Sequence, residues 1–282
     1  QRMQRIAYYS RECLHEFRAT HPFEYGRSQG YLQLFRSEYD VALAQPALAI
    51  LRDAGIAHRE LSGAQCTAIE PGLRWARAAP YAGLYLPEDE AGDCAAFTRE
   101  LRAVCEARGV RFRFDTRVAA LDVRGRTARG VHVESAHGSE TLQAHAVVVA
   151  AGVDSAELLA PVGIKVPLYP VKGYSATLPV VDDEKAPRAA LMDEAYKTAI
   201  TRFGPNLRVA GTAELGSRHT TLREQALRTL LKVLDDWFPH ASAPSSAQFW
   251  VGRRPMVPDG APLLGPCGIE SLWLNLGHGS TG

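Results

Sequence analysis

Residues 249–282 read FWVGRRPMVPDGAPLLGPCGIESLWLNLGHGSTG, and how this stretch is read decides the fold. Two short strand-like runs, 262–264 and 271–276, are separated by Gly265, Pro266 and Gly268. The second runs into Gly277, His278, Gly279, Ser280, Thr281 and Gly282. Glycine at that density lets a backbone approach a ligand closely. The string GHGSTG satisfies G-x-G-x-x-G, but a dinucleotide fingerprint also needs a following helix and an acidic residue about 20 positions further on. The sequence supplies neither, so the phosphate-fingerprint reading is set aside. Upstream, Arg253, Arg254 and Pro255 precede the turn signal at Pro258, Asp259 and Gly260. A guanidinium holds a carboxylate through two parallel hydrogen bonds, whereas RRP in isolation reads as a surface turn carrying an exposed arginine pair.

The whole string W-x-G-x-R-P-M-x-P-D-G-x-P-x-x-G, followed by a strand and GHG, resembles the C-terminal region of FAD-dependent D-amino acid dehydrogenases of the small subunit type. These belong to the glycine oxidase and D-amino acid oxidase superfamily. YSRECL at 9–14, LQLFR at 32–36, DEAGDC at 89–94, YPVKGYS at 169–175 and YKTAITRF at 196–203 resemble the same family in the same order.

The resemblance implies a two-domain α/β flavoprotein, with a partial FAD-binding domain (83–160 and 249–282) interleaved with an antiparallel-sheet α+β substrate domain (1–82 and 161–248). It also implies oxidative deamination of a D-amino acid to a 2-oxo acid and ammonia, with electrons passed to a quinone or another respiratory-chain acceptor. A cytoplasmic location with peripheral contact at the inner membrane belongs to the same implication. Relative to the family pattern, the sequence lacks the N-terminal G-x-G-x-x-G unit and the helix after GHG. An oxygen-using oxidase of glycine or sarcosine, and a silent fragment or accessory subunit, are the alternatives.

Residue by residue, the resemblance makes Arg254 the clamp for the substrate carboxylate, with Tyr196 as its second contact. Lys172 is either a cation facing the flavin or a charge at a strand edge that discourages mispairing. The Val118 main chain is expected near the adenine, and Ala150, Ala151 and Gly152 beside the cofactor. Gly277, His278 and Gly279 shape the backbone next to the flavin, Ser280 and Thr281 are hydrogen-bond partners for the flavin edge or the substrate, and Gly282 is expected with them beside the cofactor.

The remaining sequence is compatible with this. The chain has 282 residues, 46% of them hydrophobic, enough for a large core. Its 32 basic and 31 acidic residues give a net charge of +1, which supplies no strong attraction to nucleic acid. Cys13, Cys66, Cys94, Cys105 and Cys267 lack zinc-ligand or paired spacing and read as reduced thiols. No metal is expected; the acidic run Glu88, Asp89, Glu90, Asp93 reads as complementing a helix N-terminus.

Periodicity predicts helices over 2–19, 38–53 (with Pro46 inside), 94–108 and 218–238. It predicts strands over 30–36, 83–86, 110–114, 118–123, 130–134 and 141–151, and four more within 165–210 that form an antiparallel sheet. Residues 146–152, AVVVAAG, read as a fully buried parallel strand delivering its end to a ligand.

Overall fold

A computed structural model describes residues 2–216 and 219–279. In chain order the helices are α1 (Arg2–Thr20), α2 (Glu38–Asp53), α3 (Gly63–Ile69), α4 (Cys94–Ala107), α5 (Ser155–Leu159) and α6 (Glu224–Trp237). The strands are β1 (Ser28–Phe35), β2 (Arg59–Ser62), β3 (Ala82–Ala91), β4 (Arg117–Arg124), β5 (Thr127–Ser135), β6 (Gly138–Gln143) and β7 (Val147–Val149). They continue as β8 (Tyr169–Pro179), β9 (Ala190–Asp193), β10 (Thr198–Phe203), β11 (Asn206–Leu215), β12 (Gln248–Met256), β13 (Leu263–Pro266) and β14 (Leu272–Leu276).

Eight strands form one sheet in the order β12-β8-β11-β10-β9-β1-β3-β2. All its pairings are antiparallel except β1 with β9. On one face Tyr174, Ala176, Leu178, Ile200 and Val209 pack with Leu230, Val233, Leu234 and Trp237 of α6 into the main core. On the other face, at the β1 and β3 end, Ala44 and Leu48 of α2 close over Phe35 and Leu84. Ser37 and Asp40 form a reciprocal capping box at the start of α2, which is how a helix carrying Pro46 is launched at the correct residue.

Two three-stranded sheets, β13-β14-β7 and β4-β5-β6, share a second core built on Leu121, Ala128, Val149, Leu159, Leu272 and Leu276. The β7 and β14 strands run parallel, so the segments after Val149 and Leu276 leave the same sheet edge.

Several expectations are corrected. Residues 110–114 form no strand: no neighbouring strand among the described residues takes their backbone hydrogen bonds, and Phe112 and Phe114 stack on each other at 6.0 Å. The run 141–151 divides between β6 and β7, in different sheets. Its 146–152 portion is not buried on both sides, because β7 is an edge strand whose Val148 stays exposed beside exposed Trp273. The strand expected at 83–86 extends through the acidic run to Ala91. There Glu90 pairs with Arg18 at 2.5 Å and Arg27 at 2.7 Å, and only Asp93 caps a helix. The helix expected at 218–238 starts at Glu224, since the Thr221 carbonyl is taken by Lys172 Nζ at 3.0 Å rather than by a helical N–H.

Residues 248–256 form a strand instead of leading into a surface turn. Pro255 is tolerated there because β12 is the sheet edge. Both β3 and β12, expected in the cofactor domain, hydrogen-bond into the eight-stranded sheet.

Candidate active site

Along β12 successive side chains alternate between the two faces of the sheet. Arg253 lies opposite Lys172 and Arg254 opposite Val171, so the two arginines point to opposite sides. Arg253, on the α6 side, donates from Nη2 to Asp154 Oδ1 at 3.3 Å. Asp154 belongs to the 3-10 turn Gly152–Asp154 that follows β7, so this contact ties the large sheet to the end of the parallel pair.

Arg254 is on the face away from α6. Gly252 and Gly173 stand directly opposite each other in the register and leave a floor without side chains. The Arg254 guanidinium lies across it: a Cβ on Gly173 would come within 2.7 Å of Arg254 Cζ. The Trp250 indole lies across the same floor from the other direction, 2.7 Å (Cζ3) from where a Cβ of Gly252 would sit. Half-buried Arg254 makes no hydrogen bond or ion pair among the described residues.

A cavity of about 1060 Å³ lies on this face, lined by Ser175, Thr177, Arg208 and Trp250 of the sheet and by residues of α4 including Cys94, Thr98 and Arg102. Arg208 donates to Ser175 Oγ at 3.2 Å and stands 5.7 Å from the Trp250 ring. Sequence reasoning missed Arg208, Ser175 and Trp250. The available signal was alternation: Arg208 stands between the core residues Leu207 and Val209, and Ser175 between Tyr174 and Ala176.

The other expected catalytic residues are elsewhere. Lys172 is 1% exposed, on the α6 face, and its strand β8 is flanked by β12 and β11, so it is not at a sheet edge. It contacts Glu214 at 3.3 Å, and Tyr174 donates its hydroxyl to the same carboxylate at 2.6 Å. Hydrogen bonding to Tyr174, then to Glu214, holds the ammonium above the ordinary lysine range, although burial works against it. Glu214 itself is held below the usual carboxylate range, first by the Tyr174 hydroxyl and then by Lys172 and Arg223.

Tyr196 sits in the turn between β9 and β10, with the Arg36 guanidinium 5.0 Å and the Lys232 ammonium 5.2 Å from its ring. Its N–H donates to Asp193 Oδ1 at 2.9 Å. Asp193 is buried and also accepts from Trp237 Nε1 at 2.6 Å and Arg36 Nε at 2.7 Å. Strand β10 is three places from β12, about 14 Å at the usual strand spacing. The fold therefore brings neither Tyr196 nor Lys172 to Arg254.

Six of the ten expected cofactor residues lie at one edge of the fold. Ala150, Ala151 and Gly152 leave β7, and Gly277, His278 and Gly279 leave β14, at one carboxyl edge of a parallel strand pair, where open α/β sheets bind ligands. Gly152 has φ +58 and nothing within 4 Å of where its Cβ would stand, so backbone is open to a ligand there. The second loop is closed instead. Gly279 donates its N–H to the Pro255 carbonyl at 3.1 Å, and Cβ atoms at Gly277 and Gly279 would meet Val257 at 2.7 Å and Met256 at 2.8 Å. His278 Nε2 is 2.6 Å from Asn275 Oδ1, a contact three residues back along the chain. Val118 is exposed on β4, in the separate sheet. Ser280, Thr281 and Gly282 lie outside the described residues.

The sheet face that carries Arg254 also carries the large cavity, and the Arg253–Asp154 contact joins this sheet to the parallel edge with its open glycine turn. The chain belongs to the family of FAD dependent oxidoreductases (DAO), whose profile matches residues 1–282. It is 42% identical over 282 residues to a D-amino acid dehydrogenase of Vibrio vulnificus (strain YJ016), covering all of this chain and 67% of the relative. To the D-amino acid dehydrogenase of Cereibacter sphaeroides (strain ATCC 17029 / ATH 2.4.9) it is 47% identical, covering 64% of that protein. The chain thus spans about two thirds of the length of the curated relatives it matches.

Glycine oxidase from Bacillus cereus ATCC 14579 superposes with a TM-score of 0.81 at 19% identity, over 98% of this chain and 74% of that one. L-proline dehydrogenase from P. horikoshii superposes at 0.78 and 17%, over 98% and 72%. These two likenesses establish the fold. FAD is the cofactor of the family, and the open turn at Gly152 on the carboxyl edge fits a bound nucleotide cofactor.

Proposed function

We propose that this chain serves the flavin-dependent oxidative deamination of D-amino acids to 2-oxo acids and ammonia, with Arg254 as the carboxylate clamp. The observation that carries the reading is the half-buried Arg254 guanidinium, laid over the Gly173 and Gly252 floor on the sheet face of the large cavity, without an acceptor among the described residues. Arg253, one residue away, is occupied by Asp154 and does not compete for the role. A substrate carboxylate gripped by two N–H groups fixes the direction of Cα and makes the encounter a positioned reaction. Trp250 and α4 wall the cavity on this face, and Arg208 adds a second positive charge there. FAD, when bound along the 150–152 turn, supplies the two-electron acceptor for the hydrogen leaving Cα. His278, held by Asn275, and Lys172, held by Glu214 and Tyr174, serve as structural groups in this reading. Tyr196 belongs with them, in the Asp193 network.

The cofactor domain then comprises β4 to β7 with β13 and β14, while β3 and β12 belong to the substrate sheet. The name dehydrogenase among the relatives supports a quinone or other non-oxygen acceptor. Cytoplasmic residence with peripheral contact at the inner membrane is part of the same reading; no helix among the described residues is long and apolar enough to cross a membrane.

The test is D-alanine turnover in FAD-loaded protein, with dye and quinone reduction compared with peroxide formation. Equal rates for D-alanine and L-alanine, or no turnover of either, count against the substrate assignment. Peroxide as the main reduced product would favour the oxidase chemistry named for the glycine oxidase relative.

A further inference from the structure

On the α6 face of the sheet, remote from Arg254, a cavity of about 310 Å³ opens between the start of β1, the middle of β3, the start of β9 and the corner where α3 ends at Glu70. Strand β1 is five places from β12, about 24 Å at the usual spacing, and the cavity faces the opposite side of the sheet. Its volume is at the small end of the range for small-molecule sites.

Two buried polar atoms among its lining residues, Ser28 Oγ and Glu70 Oε1, have no hydrogen-bond partner among the described residues. Glu70 is 2% exposed. Its Oε2 accepts the Arg188 backbone N–H at 2.9 Å, and no cation forms an ion pair with the carboxylate among the described residues. Burial pushes this carboxyl above its ordinary range, while the backbone N–H groups of Arg188, Ala189 and Gly72 and the Arg188 charge pull the other way.

Arg188 lies exposed at the rim, and its guanidinium makes no hydrogen bond or ion pair among the described residues. Leu32 supplies an apolar wall. Tyr85 lies over Gly30, where a Cβ would come within 2.9 Å of Tyr85 Cζ, so the absence of a side chain at Gly30 admits the phenol to the cavity wall.

A buried carboxylate oxygen without a donor, a rim guanidinium whose charge reaches that carboxylate but which makes no hydrogen bond among the described residues, and an apolar wall match one small ligand chemistry. We propose that this cavity is a second small-molecule site, which takes an α-amino acid zwitterion with its ammonium on Glu70 and Ser28 and its carboxylate on Arg188. Such a site lets a free amino acid bind without entering the cavity beside Arg254. A buried carboxylate gains from a charged donor because the low local dielectric strengthens the hydrogen bond.

The probe is L-alanine, titrated into FAD-loaded protein by calorimetry, with methylammonium and acetate as its two halves. Saturable binding at one site is expected, with each half weaker than the whole. Arg188→Met, at an exposed side chain, and Ser28→Ala leave the sheet intact; the first should weaken binding about tenfold or more, as loss of a charge-assisted hydrogen bond does. Glu70→Gln keeps an acceptor for the Arg188 N–H and removes the charge, and binding should be lost.

Binding that survives Arg188→Met and Glu70→Gln unchanged, or that disappears in Arg254→Ala, overturns the proposal. So does the absence of any heat with the wild-type protein, or a crystal soaked in L-alanine with only water in the cavity. None of these outcomes depends on turnover of D-amino acids.

Discussion

Substitution of Gly173 by alanine leaves every arginine in place and should nevertheless disable the carboxylate clamp. The added Cβ would stand within 2.7 Å of Arg254 Cζ, closer than any real carbon contact, and the guanidinium is the part that can move. Gly173 does not have positive φ, so alanine fits its backbone and the cost in stability stays small. The cost in binding does not. A hydrogen bond to a charged group contributes about 1.5–3 kcal/mol, so losing the paired grip at Arg254 removes about 3 kcal/mol of transition-state stabilisation. At about 1.4 kcal/mol per decade that is on the order of a 100-fold fall in kcat/KM.

Arg254→Ala should fall by a similar factor. Arg254→Lys, which keeps a point charge and loses the planar fork, should fall about tenfold. Arg253→Leu loses only a partly exposed pair with Asp154, worth about 1 kcal/mol or less, and should change the rate less than about fivefold. The assay is D-alanine-dependent dye reduction in FAD-loaded protein, alongside the Kd of benzoate read from the flavin absorbance. Benzoate affinity should weaken with the rate in the Gly173 and Arg254 variants and hold in Arg253→Leu. If Gly173→Ala binds benzoate as the wild type does, or if the two arginine variants behave alike, the clamp geometry is wrong.

Other consequences are separable. Asp193→Ala strips the buried acceptor shared by Arg36, Trp237 and the Tyr196 N–H and should lower unfolding free energy by about 3 kcal/mol; this is the low end for a broken buried pair because Arg36 keeps Asp236. A loss under about 1 kcal/mol in urea melts would contradict the network. Gly277→Ala forces φ +75 on an alanine and drives its Cβ to 2.7 Å from Val257 Cγ1, so a loss of at least about 1 kcal/mol is expected by the same measurement.

Burial pushes the Cys66 thiol up to about 11, so iodoacetamide at neutral pH should label exposed Cys13 and Cys94 and spare Cys66 until the protein is unfolded. For Glu90, burial raises the pKa but the Arg18 and Arg27 contacts outweigh it, and the net folded value lies below the ordinary glutamate range. A depressed carboxylate stabilises the fold above its unfolded pKa and loses that contribution as pH falls through the folded one. Stability should therefore decline in acid below the ordinary glutamate pKa, with a shallower decline in Glu90→Gln.

The order of helices and strands was largely legible in the sequence where patterns are local. The apolar spacing of α6, the Asp93 cap of α4 and the Gly109 that follows it act within a few residues of one another. Motif strings assigned the turns at 150–152 and 277–279 to one cofactor; that both leave one sheet edge follows from the parallel pairing of β7 and β14. Strand β12 was not legible, since Gly252, two arginines and Pro255 interrupt the alternation; it exists because β8 offers it a partner 71 or more residues earlier in the chain. Conversely, 110–114 carries a strand-like pattern and forms none, for want of such a partner among the described residues.

The sequence by itself determined the chemical inventory: a guanidinium before a proline, glycines at strand ends, and a family likeness spread along the chain. Tertiary structure alone decided which members of that inventory meet. Residues 253 and 254 are neighbours in the chain, yet the pleat sends one to Asp154 and the other over Gly173. Lys172 and Tyr196, both candidates on paper, end on the α6 side, paired with Glu214 and Asp193. Side chains on a sheet alternate with a period of two, and register is set by strands far apart in sequence; a side chain's face follows from that pairing.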